Sequence, residues 1–379
     1  MKPFEDAVAL RRSLHRAAEL SGVEERTAAI IRERLEPLEP GALVGGIGGH
    51  GVAAVFEGSG KGRRILVRCE LDALPIPEGE GPDASETPGV SHLCGHDGHM
   101  AILMALGELL SESPPASGSV VLLFQPAEET GAGARRVLDD PAFRKLDPDV
   151  ALALHNVPGV PLGSVILRDG VFASTARSLR VVLEGRTAHA AEPDRGLSPA
   201  GALAEILAAW PSVPQSVTSI DEAALVTVVH ARLGEPALGT TPGVATAIAT
   251  LRAQSDEVMQ RLSGRCQELA HGLAAAHGLS ADSEWLEEFP CTVNDPGVNA
   301  ALERAAADLG LEVRKPERPF AWTEDFGHFT ESVGGALFGL GAGEKTAPLH
   351  HPDYVFPDDL IPLGAKLLRS AIKHLESGE

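Results

Sequence analysis

Short apolar runs alternate with longer amphipathic segments over much of the chain. The runs RILVRC (64–69), SVVLLF (119–124), DVALAL (149–154) and GALFGL (335–340) have the length and apolar character of buried strands. The segment GHMAILMALGELLSES (98–113) has the periodicity of a helix. Alternation of such strands with helices predicts an α/β domain with a mainly parallel sheet.

The pattern changes in the middle of the chain. SLRVVLEG (178–185) and GVATAIATLRAQ (243–254) alternate as half-exposed strands do, and helical patterns occur near 198–210 and 255–278. This change predicts a smaller α+β domain inserted into the larger one. The expected division is 1–173 and 287–379 for the discontinuous α/β domain, and 174–286 for the insertion.

Composition excludes several classes of partner. The formal net charge of −21 argues against nucleic-acid binding, because phosphate contacts need clustered Lys and Arg. No stretch reaches the roughly 18 uninterrupted apolar residues of a membrane span, so we expect no membrane interaction.

The opening segment, with acidic Glu5 and Asp6, predicts an amphipathic helix rather than a secretion signal. The 4 cysteines are too few and scattered for a disulfide framework, so we expect a cytoplasmic protein with reduced thiols.

Side chains that bind metals or transfer protons follow each predicted strand of the α/β domain. In chain order they are Glu70 and Asp72, Glu128 and Glu129, His155, and finally His350 and His351. Ligands of open α/β sheets bind beyond the carboxyl ends of the strands. We therefore expect these side chains to converge at one edge of the sheet.

The segment SHLCGHDGH adds a thiol and imidazoles just before the helix at 98–113. Thiolate and imidazole ligands, here Cys94 and His96, favour Zn, Mn, Co or Ni over Mg or Ca. Two such ions about 3.5 to 4 Å apart can polarise a carbonyl, and of the neighbours Glu128 and Glu129 one could bind metal while the other is a general base. Taken singly, each residue is also explained as an ordinary buried or surface side chain. Their recurrence after four strands indicates a metal centre.

Two aspartates are candidates for supporting roles. We expect Asp72 and Asp97 to orient imidazoles rather than to bind metal. A bridging role for either one stays open.

Several motifs together carry a resemblance to a known family. They are, in order, LRRSLHRAAELSGVEERTA, CELDALPI, SHLCGHDGHMA, QPAEETGAGA, LHNVPGVPLGSV, GRTAHAAEPDRG, TEDFGHF and PLHHPDYVFPDD. The chain resembles the binuclear metal amidohydrolases that include hippurate hydrolase, auxin-amino acid conjugate hydrolases and N-acetyl-amino acid deacetylases, relatives of aminoacylase and carboxypeptidase G. The resemblance spans nearly the whole chain.

The resemblance implies a role for each matching residue of the α/β domain. It implies two divalent metal ions, with Zn or Mn expected and Ni or Co as alternatives. The implied metal ligands are Cys94, His96, Glu129, His155 and His350. Glu128 is then the implied catalytic base.

The resemblance also implies roles for the inserted domain. The region after Ser174 would be a lid domain that forms a homodimer and carries His189, which helps to stabilise the oxyanion, in the partner's active site. In relatives, an arginine at the position of Arg252 binds the substrate carboxylate. The segment GTTPG departs from the family, because Gly239 stands where Asn is usual.

These observations predict metal-dependent hydrolysis of the amide bond of N-acyl amino acids, such as N-acetyl or N-benzoyl derivatives, with release of a carboxylic acid and an amino acid. A dipeptidase or carboxypeptidase of the same superfamily is the alternative enzyme. A catalytically silent metal- or ligand-binding module is the alternative of another class. The presence of both Glu128 and Glu129 argues against a silent module, since loss of the base would be its mark.

Overall fold

The computed structural model describes residues 4–377. The chain divides into two compact units. Unit 1 comprises Met1–Phe172, Thr292–Pro319 and Glu324–Glu379, and unit 2 comprises Ala173–Cys291 and Phe320–Thr323.

The strands and helices follow one another in a mixed order along the described residues. The strands are β1 (Ala42–Ile47), β2 (Gly51–Glu57), β3 (Arg64–Glu70), β4 (Ser119–Gln125), β5 (Val150–Val157), β6 (Val165–Ile166), β7 (Gly170–Ala173), β8 (Thr175–Glu184), β9 (Ala188–His189), β10 (Ala224–Leu233), β11 (Thr240–Thr241), β12 (Val244–Ala253), β13 (Ser280–Phe289), β14 (Thr292–Asn294), β15 (Val313–Arg314) and β16 (Gly335–Gly341). The α-helices are α1 (Glu5–Arg16), α2 (Glu25–Leu35), α3 (His96–Glu112), α4 (Gly133–Asp139), α5 (Pro141–Arg144), α6 (Ala200–Ala209), α7 (Val213–Val217), α8 (Asp256–Ala276), α9 (Pro296–Asp308), α10 (Gly327–Ser332) and α11 (Leu360–Ser377). Short 3₁₀ turns occur at Glu36–Leu38, Pro193–Arg195 and Trp210–Ser212.

Unit 1 is built on an 8-stranded sheet in the order β1-β2-β4-β3-β5-β16-β6-β15. The neighbours β4, β3, β5 and β16 are parallel, whereas β1 and β2 extend the sheet as antiparallel strands. The four parallel strands are those predicted from the apolar runs, and α3 is the predicted helix. The α/β class with a mainly parallel sheet is therefore confirmed.

The parallel strands form the core of unit 1. Every residue of β4, β5 and β16 is buried, and so is every residue of β3 after its first. Strands buried on both faces need apolar residues at consecutive positions, which explains the apolar runs that make up most of these strands. Side chains of α3 and α11 belong to the same core cluster.

Unit 2 contains a 4-stranded antiparallel sheet in the order β10-β12-β8-β13. Along β12, buried residues alternate with less buried ones, as the sequence pattern predicts for a sheet with one covered face. The covering elements include α6 and α8, which share a buried cluster with the fully buried Trp210. The predicted strands at 178–185 and 243–254 thus correspond to β8 and β12.

Two further properties concern membranes and thiols. Among residues 4–377, no helix combines the length and the apolar composition that crossing a membrane requires. The thiols of Cys69, Cys94, Cys266 and Cys291 are all free and buried.

Candidate metal centre

The predicted metal ligands of unit 1 come from four segments at the carboxyl end of the parallel strands. Cys94 and His96 precede or begin α3, Glu128 and Glu129 follow β4, His155 lies in β5, and His350 follows β16. Their ligand atoms form three overlapping groups within 4.8 Å: Cys94, His96 and His155; Cys94, Glu129 and His350; His96, Glu128 and Glu129. The structure therefore brings all six side chains together. The strand β5 extends to Val157, so His155 belongs to it rather than following it.

Two imidazoles are oriented by main-chain carbonyl groups. His96 donates from Nδ1 to the carbonyl oxygen of Asp72 (2.8 Å), and His155 donates from Nδ1 to that of Asn156 (2.9 Å). A carbonyl oxygen only accepts, so each ring carries a proton on Nδ1, and in the neutral form of each ring Nε2 is the acceptor nitrogen. Nε2 of His155 lies 3.5 Å from Sγ of Cys94.

Two buried polar atoms of this cluster face each other without a hydrogen bond. Nε2 of His96 and Oε1 of Glu129 are 3.8 Å apart, and neither has a hydrogen-bond partner. Buried polar atoms of native proteins are normally satisfied by a protein group, water or an ion. The pair fits a divalent cation, which both atom types bind.

Burial and neighbouring charges together set the protonation of the cluster. Burial alone would lower the pKa of His96, but the charges of Glu70, Glu129 and Asp72 raise it to about 9. Burial acts differently on Cys94 and Glu129. It raises the pKa of the Cys94 thiol, and the charges of Glu129 and Glu128 act in the same direction. It also raises the pKa of Glu129 to about 7, although His96 opposes the shift. Burial lowers the pKa of His155 to about 3, which keeps that imidazole neutral. A bound cation would favour the thiolate and the carboxylate, and it requires a neutral imidazole.

The neighbouring Glu128 is also buried. Burial raises the pKa of Glu128, and the charges of Glu324 and Glu129 raise it further. A general base that works near neutral pH needs a pKa above that of an ordinary carboxylate. Its environment therefore shifts Glu128 in the direction that proton transfer requires.

The backbone at the site adopts left-handed conformations. Gly95, between Cys94 and His96, has φ +93°, and a Cβ there would lie 2.6 Å from Oδ1 of Asn156. The non-glycine residues Ala127 (φ 55°) and His350 (φ 66°) are also left-handed. Such conformations cost on the order of 1 to 3 kcal/mol each and concentrate at functional sites.

Asp72 supports the site by a route that differs from the expected one. The main-chain carbonyl of Asp72, rather than its carboxylate, accepts from the His96 ring. The carboxylate instead accepts from the main-chain N–H of Glu129 (2.9 Å) and from the Ser21 hydroxyl (2.6 Å). Asp72 therefore links two of the four segments.

Asp97 contacts an imidazole outside the cluster. Its carboxylate accepts from Nδ1 of His15 (2.8 Å) and from Nη1 of Arg11 (3.1 Å), both on α1. Burial alone would raise the pKa of Asp97, but His15 and Arg11 lower it. Asp97 thus ties the first turn of α3 to α1.

Four polar residues that no sequence motif singles out as functional are hydrogen-bonded to one another next to Glu128. They are Arg68, Gln125, Glu324 and Asp325. One signal was present in the sequence, because Arg68 is a charged residue within a run that otherwise reads as a buried strand. Arg68 and Asp325 lie 257 positions apart in the chain, so no local pattern relates them.

His189 and Arg252 belong to unit 2. His189 is exposed in β9, which pairs with β11, and its Nδ1 accepts from the main-chain N–H of Ala191 (3.1 Å). Arg252 is half-buried in β12 and donates from Nη1 to the carbonyl oxygen of Ala321 (3.2 Å). Burial lowers the pKa of Arg252.

Comparison with known proteins gives consistent matches. Residues 66–374 match the model of peptidase family M20/M25/M40. N-acetyl-L-cysteine deacetylase of Bacillus subtilis (strain 168) is 31% identical over 379 residues, which cover 98% of this chain and 89% of that protein. N-acetyldiaminopimelate deacetylase of Exiguobacterium sibiricum is 30% identical over 369 residues, or 96% and 98% of the two chains. The crystal structure of the Bacillus subtilis YXEP protein, described as a dinuclear metal binding peptidase from the M20 family, matches with a TM-score of 0.82 at 27% identity over 99% and 98% of the two chains.

Proposed function

Because the chain belongs to peptidase family M20/M25/M40, we propose that it is a metal-dependent hydrolase that cleaves N-acyl amino acids into a carboxylic acid and an amino acid. The observation that carries this proposal is the pair of buried atoms without hydrogen-bond partners, Nε2 of His96 and Oε1 of Glu129, beside the buried Glu128. Similar proteins described as deacetylases of N-acetyl amino acids support the substrate class.

Five side chains are assigned to two divalent ions. They are Cys94, His96, Glu129, His155 and His350, and three of them, Cys94, His96 and Glu129, each belong to two of the three-residue groups. The thiol and imidazoles favour Zn or Mn, with Ni or Co as alternatives, over Mg or Ca. When bound, the ions supply Lewis-acid polarisation of the scissile carbonyl.

Glu128 is assigned the role of general base. Oε1 of Glu128 accepts the main-chain N–H of Asp325 (3.2 Å), which fixes the carboxylate. In this role the carboxylate takes a proton from the attacking water and passes it to the nitrogen of the leaving amine. Glu128 directly precedes the proposed metal ligand Glu129 in the chain. The proposed proton acceptor therefore lies next to the proposed metal site.

We assign to unit 2 the hydrogen-bond donor that stabilises the oxyanion formed in the reaction. Because Nδ1 of His189 accepts a main-chain N–H, the neutral ring carries its proton on Nε2. A donor Nε2 is the form that stabilises a negative oxygen. We assign His189 to the oxyanion, acting in the active site of the partner in a homodimer.

The edge of the unit 2 sheet supports the homodimer. β10 is an edge strand, and Leu225, Val229 and Leu233 on it are exposed. An exposed apolar edge strand is a template for pairing with another chain. We propose that a second copy of the chain covers it.

Arg252 is assigned to the substrate carboxylate. A buried carboxylate needs a charged hydrogen-bond donor, and the planar guanidinium is well suited to this task. Burial lowers the pKa of Arg252, and an anionic ligand would offset this effect. A cytoplasmic location remains a prediction.

A substrate panel tests the proposed function. The protein, loaded with Mn²⁺ or Zn²⁺, is assayed on N-acetyl and N-benzoyl amino acids and on dipeptides, with and without chelator. We expect the N-acyl amino acids to be cleaved faster than the dipeptides, and chelation to abolish cleavage. Faster cleavage of dipeptides would assign a dipeptidase, and no cleavage of any substrate would assign a silent binding module.

A further inference from the structure

A guanidinium lies completely buried behind the proposed base. Arg68, on β3, has a side-chain exposure of 0%. Its Nε donates to Oε1 of Gln125 (2.8 Å), and Nη1 donates to both oxygens of Glu324 (2.9 and 3.0 Å) and to Glu70. Its Nη2 donates to Oδ1 of Asp325 (2.5 Å).

Packing of the sheet alone does not require this arginine. The adjacent β3 residues Val67 and Cys69 and the facing β4 residue Leu123 are apolar and buried, and replacement of a buried ion pair by well-packed apolar residues is often neutral or stabilising. Burial alone would lower the pKa of Arg68, but the carboxylates of Glu324, Glu70 and Asp325 raise it. The side chain is therefore a permanent buried cation that compensates the buried carboxylates of Glu70, Glu324 and Asp325.

Asp325 joins this cation to the base. Its carboxylate accepts from Nη2 of Arg68, from Nε2 of Gln125 (2.8 Å) and from the main-chain N–H of Ala134 (2.8 Å). With its side chain fixed at these points, its own main-chain N–H donates to Oε1 of Glu128 (3.2 Å). The contacts connect β3, the end of β4 and the start of α4 to one oxygen of the base.

We propose that Arg68 and Asp325 are positioning residues that fix the orientation of the Glu128 carboxylate. Arg68 fixes the Asp325 side chain, and the Asp325 main chain fixes Glu128. Neither residue touches the substrate, and neither is assigned to a metal ion. The inference rests on the proposed function of Glu128 as the base.

Asp325→Asn perturbs the arrangement with little change in shape. The amide has one acceptor oxygen in place of two, so one of the three donors around Asp325 loses its acceptor. The main-chain N–H of residue 325, which donates to Glu128, is then held less firmly in position. Since a misplacement of about 1 Å can cost about 100-fold in rate, we expect kcat to fall about 10- to 100-fold, with KM and bound metal unchanged.

A double-mutant cycle separates positioning from a general structural effect. Asp325→Asn is made in the wild-type chain and in the Glu128→Gln chain, and kcat, KM, metal content and thermal unfolding are measured on metal-loaded full-length protein. If Asp325 acts through Glu128, it should cause no further loss of the residual rate once Glu128 is replaced. An equal fold-loss in both chains, or a loss of metal that accounts for the rate, would overturn the inference.

Two further comparisons keep the test decisive. Asp140→Asn is the matched control, because Asp140 also accepts main-chain N–H groups, those of Gly48 (2.9 Å) and Ala142 (2.7 Å), away from Glu128, and its kcat should stay unchanged. If Asp325→Asn fails to fold, Arg68→Lys and Arg68→Met replace it in both chains. In the wild-type chain, Arg68→Lys should retain a higher kcat than Arg68→Met. In the Glu128→Gln chain, the two variants should have the same kcat. Full activity of Glu128→Gln itself would instead refute the base assignment.

Discussion

Gly95→Ala tests how strictly the backbone between Cys94 and His96 is constrained. A Cβ at this position would lie 2.6 Å from Oδ1 of Asn156 and 2.9 Å from its Cγ and Nδ2. The Asn156 amide is held on both sides, since Oδ1 lies 2.5 Å from Nε2 of His99 and Nδ2 donates to the Tyr354 hydroxyl (2.5 Å). The new methyl group therefore fits only if these buried contacts break.

The magnitude follows from two separate costs. A left-handed alanine costs about 1 to 2 kcal/mol relative to the preferred backbone. Displacing Asn156 leaves a buried polar group unpaired, at about 1 to 3 kcal/mol. Gly95→Ala should therefore lower the free energy of unfolding by about 2 to 5 kcal/mol.

Gly159→Ala is the matched control. Gly159 is also left-handed (φ +80°), but no atom lies within 4 Å of the Cβ it would gain. It should show only the backbone cost of about 1 to 2 kcal/mol. Both variants are unfolded in urea, with chelator and with Mn²⁺, beside the wild type. Equal destabilisation by the two substitutions would refute the reasoning about Asn156.

Three further predictions concern the proposed roles. Glu128→Gln should retain bound metal and lose about 10²- to 10⁴-fold in kcat, because an amide cannot accept the proton; elemental analysis showing loss of metal would make Glu128 a ligand instead. Inactive His189→Ala chains mixed with inactive Glu128→Gln chains should regain part of the activity, since one hybrid site is then intact; verified heterodimers without activity would assign His189 to its own chain. On substrates with a free carboxylate, Arg252→Ala should lower kcat/KM. The corresponding loss of transition-state stabilisation should be about 1.5 to 3 kcal/mol, the range for a hydrogen bond to a charged group. The substitution should have far less effect on the corresponding amides, and an equal loss on both would make Arg252 structural through its contact with Ala321.

The sequence predicts the parts of the fold that depend on local pattern. The buried parallel strands are continuous apolar runs, and their carboxyl ends meet in any sheet of this class. Proximity of Cys94 to His155 and to Glu129 could therefore be predicted from the sequence. The glycine between Cys94 and His96 is visible in the sequence, but its clash partner Asn156 is not.

Features that depend on long-range contacts could not be predicted in this way. Strand β6 and the edge strand β15 pair over only 2 residues each, too few for any periodicity. Asp97 was expected to orient an imidazole, but no local pattern identifies which one, since its partner His15 lies 82 positions away on α1. The pairing of Arg68 with Asp325 spans 257 positions. Only the folded sheet brings such residues together.

The dependence of turnover on bound metal tests the central claim most directly. Protein stripped by chelation is titrated with Mn²⁺ or Zn²⁺, while metal content and hydrolysis of an N-acetyl amino acid are measured on the same samples. The assignment of Cys94, His96, Glu129, His155 and His350 predicts no turnover in the stripped protein and maximal turnover at about two ions per chain. Turnover that survives complete removal of metal, or maximal turnover with well under one ion per chain, would contradict it.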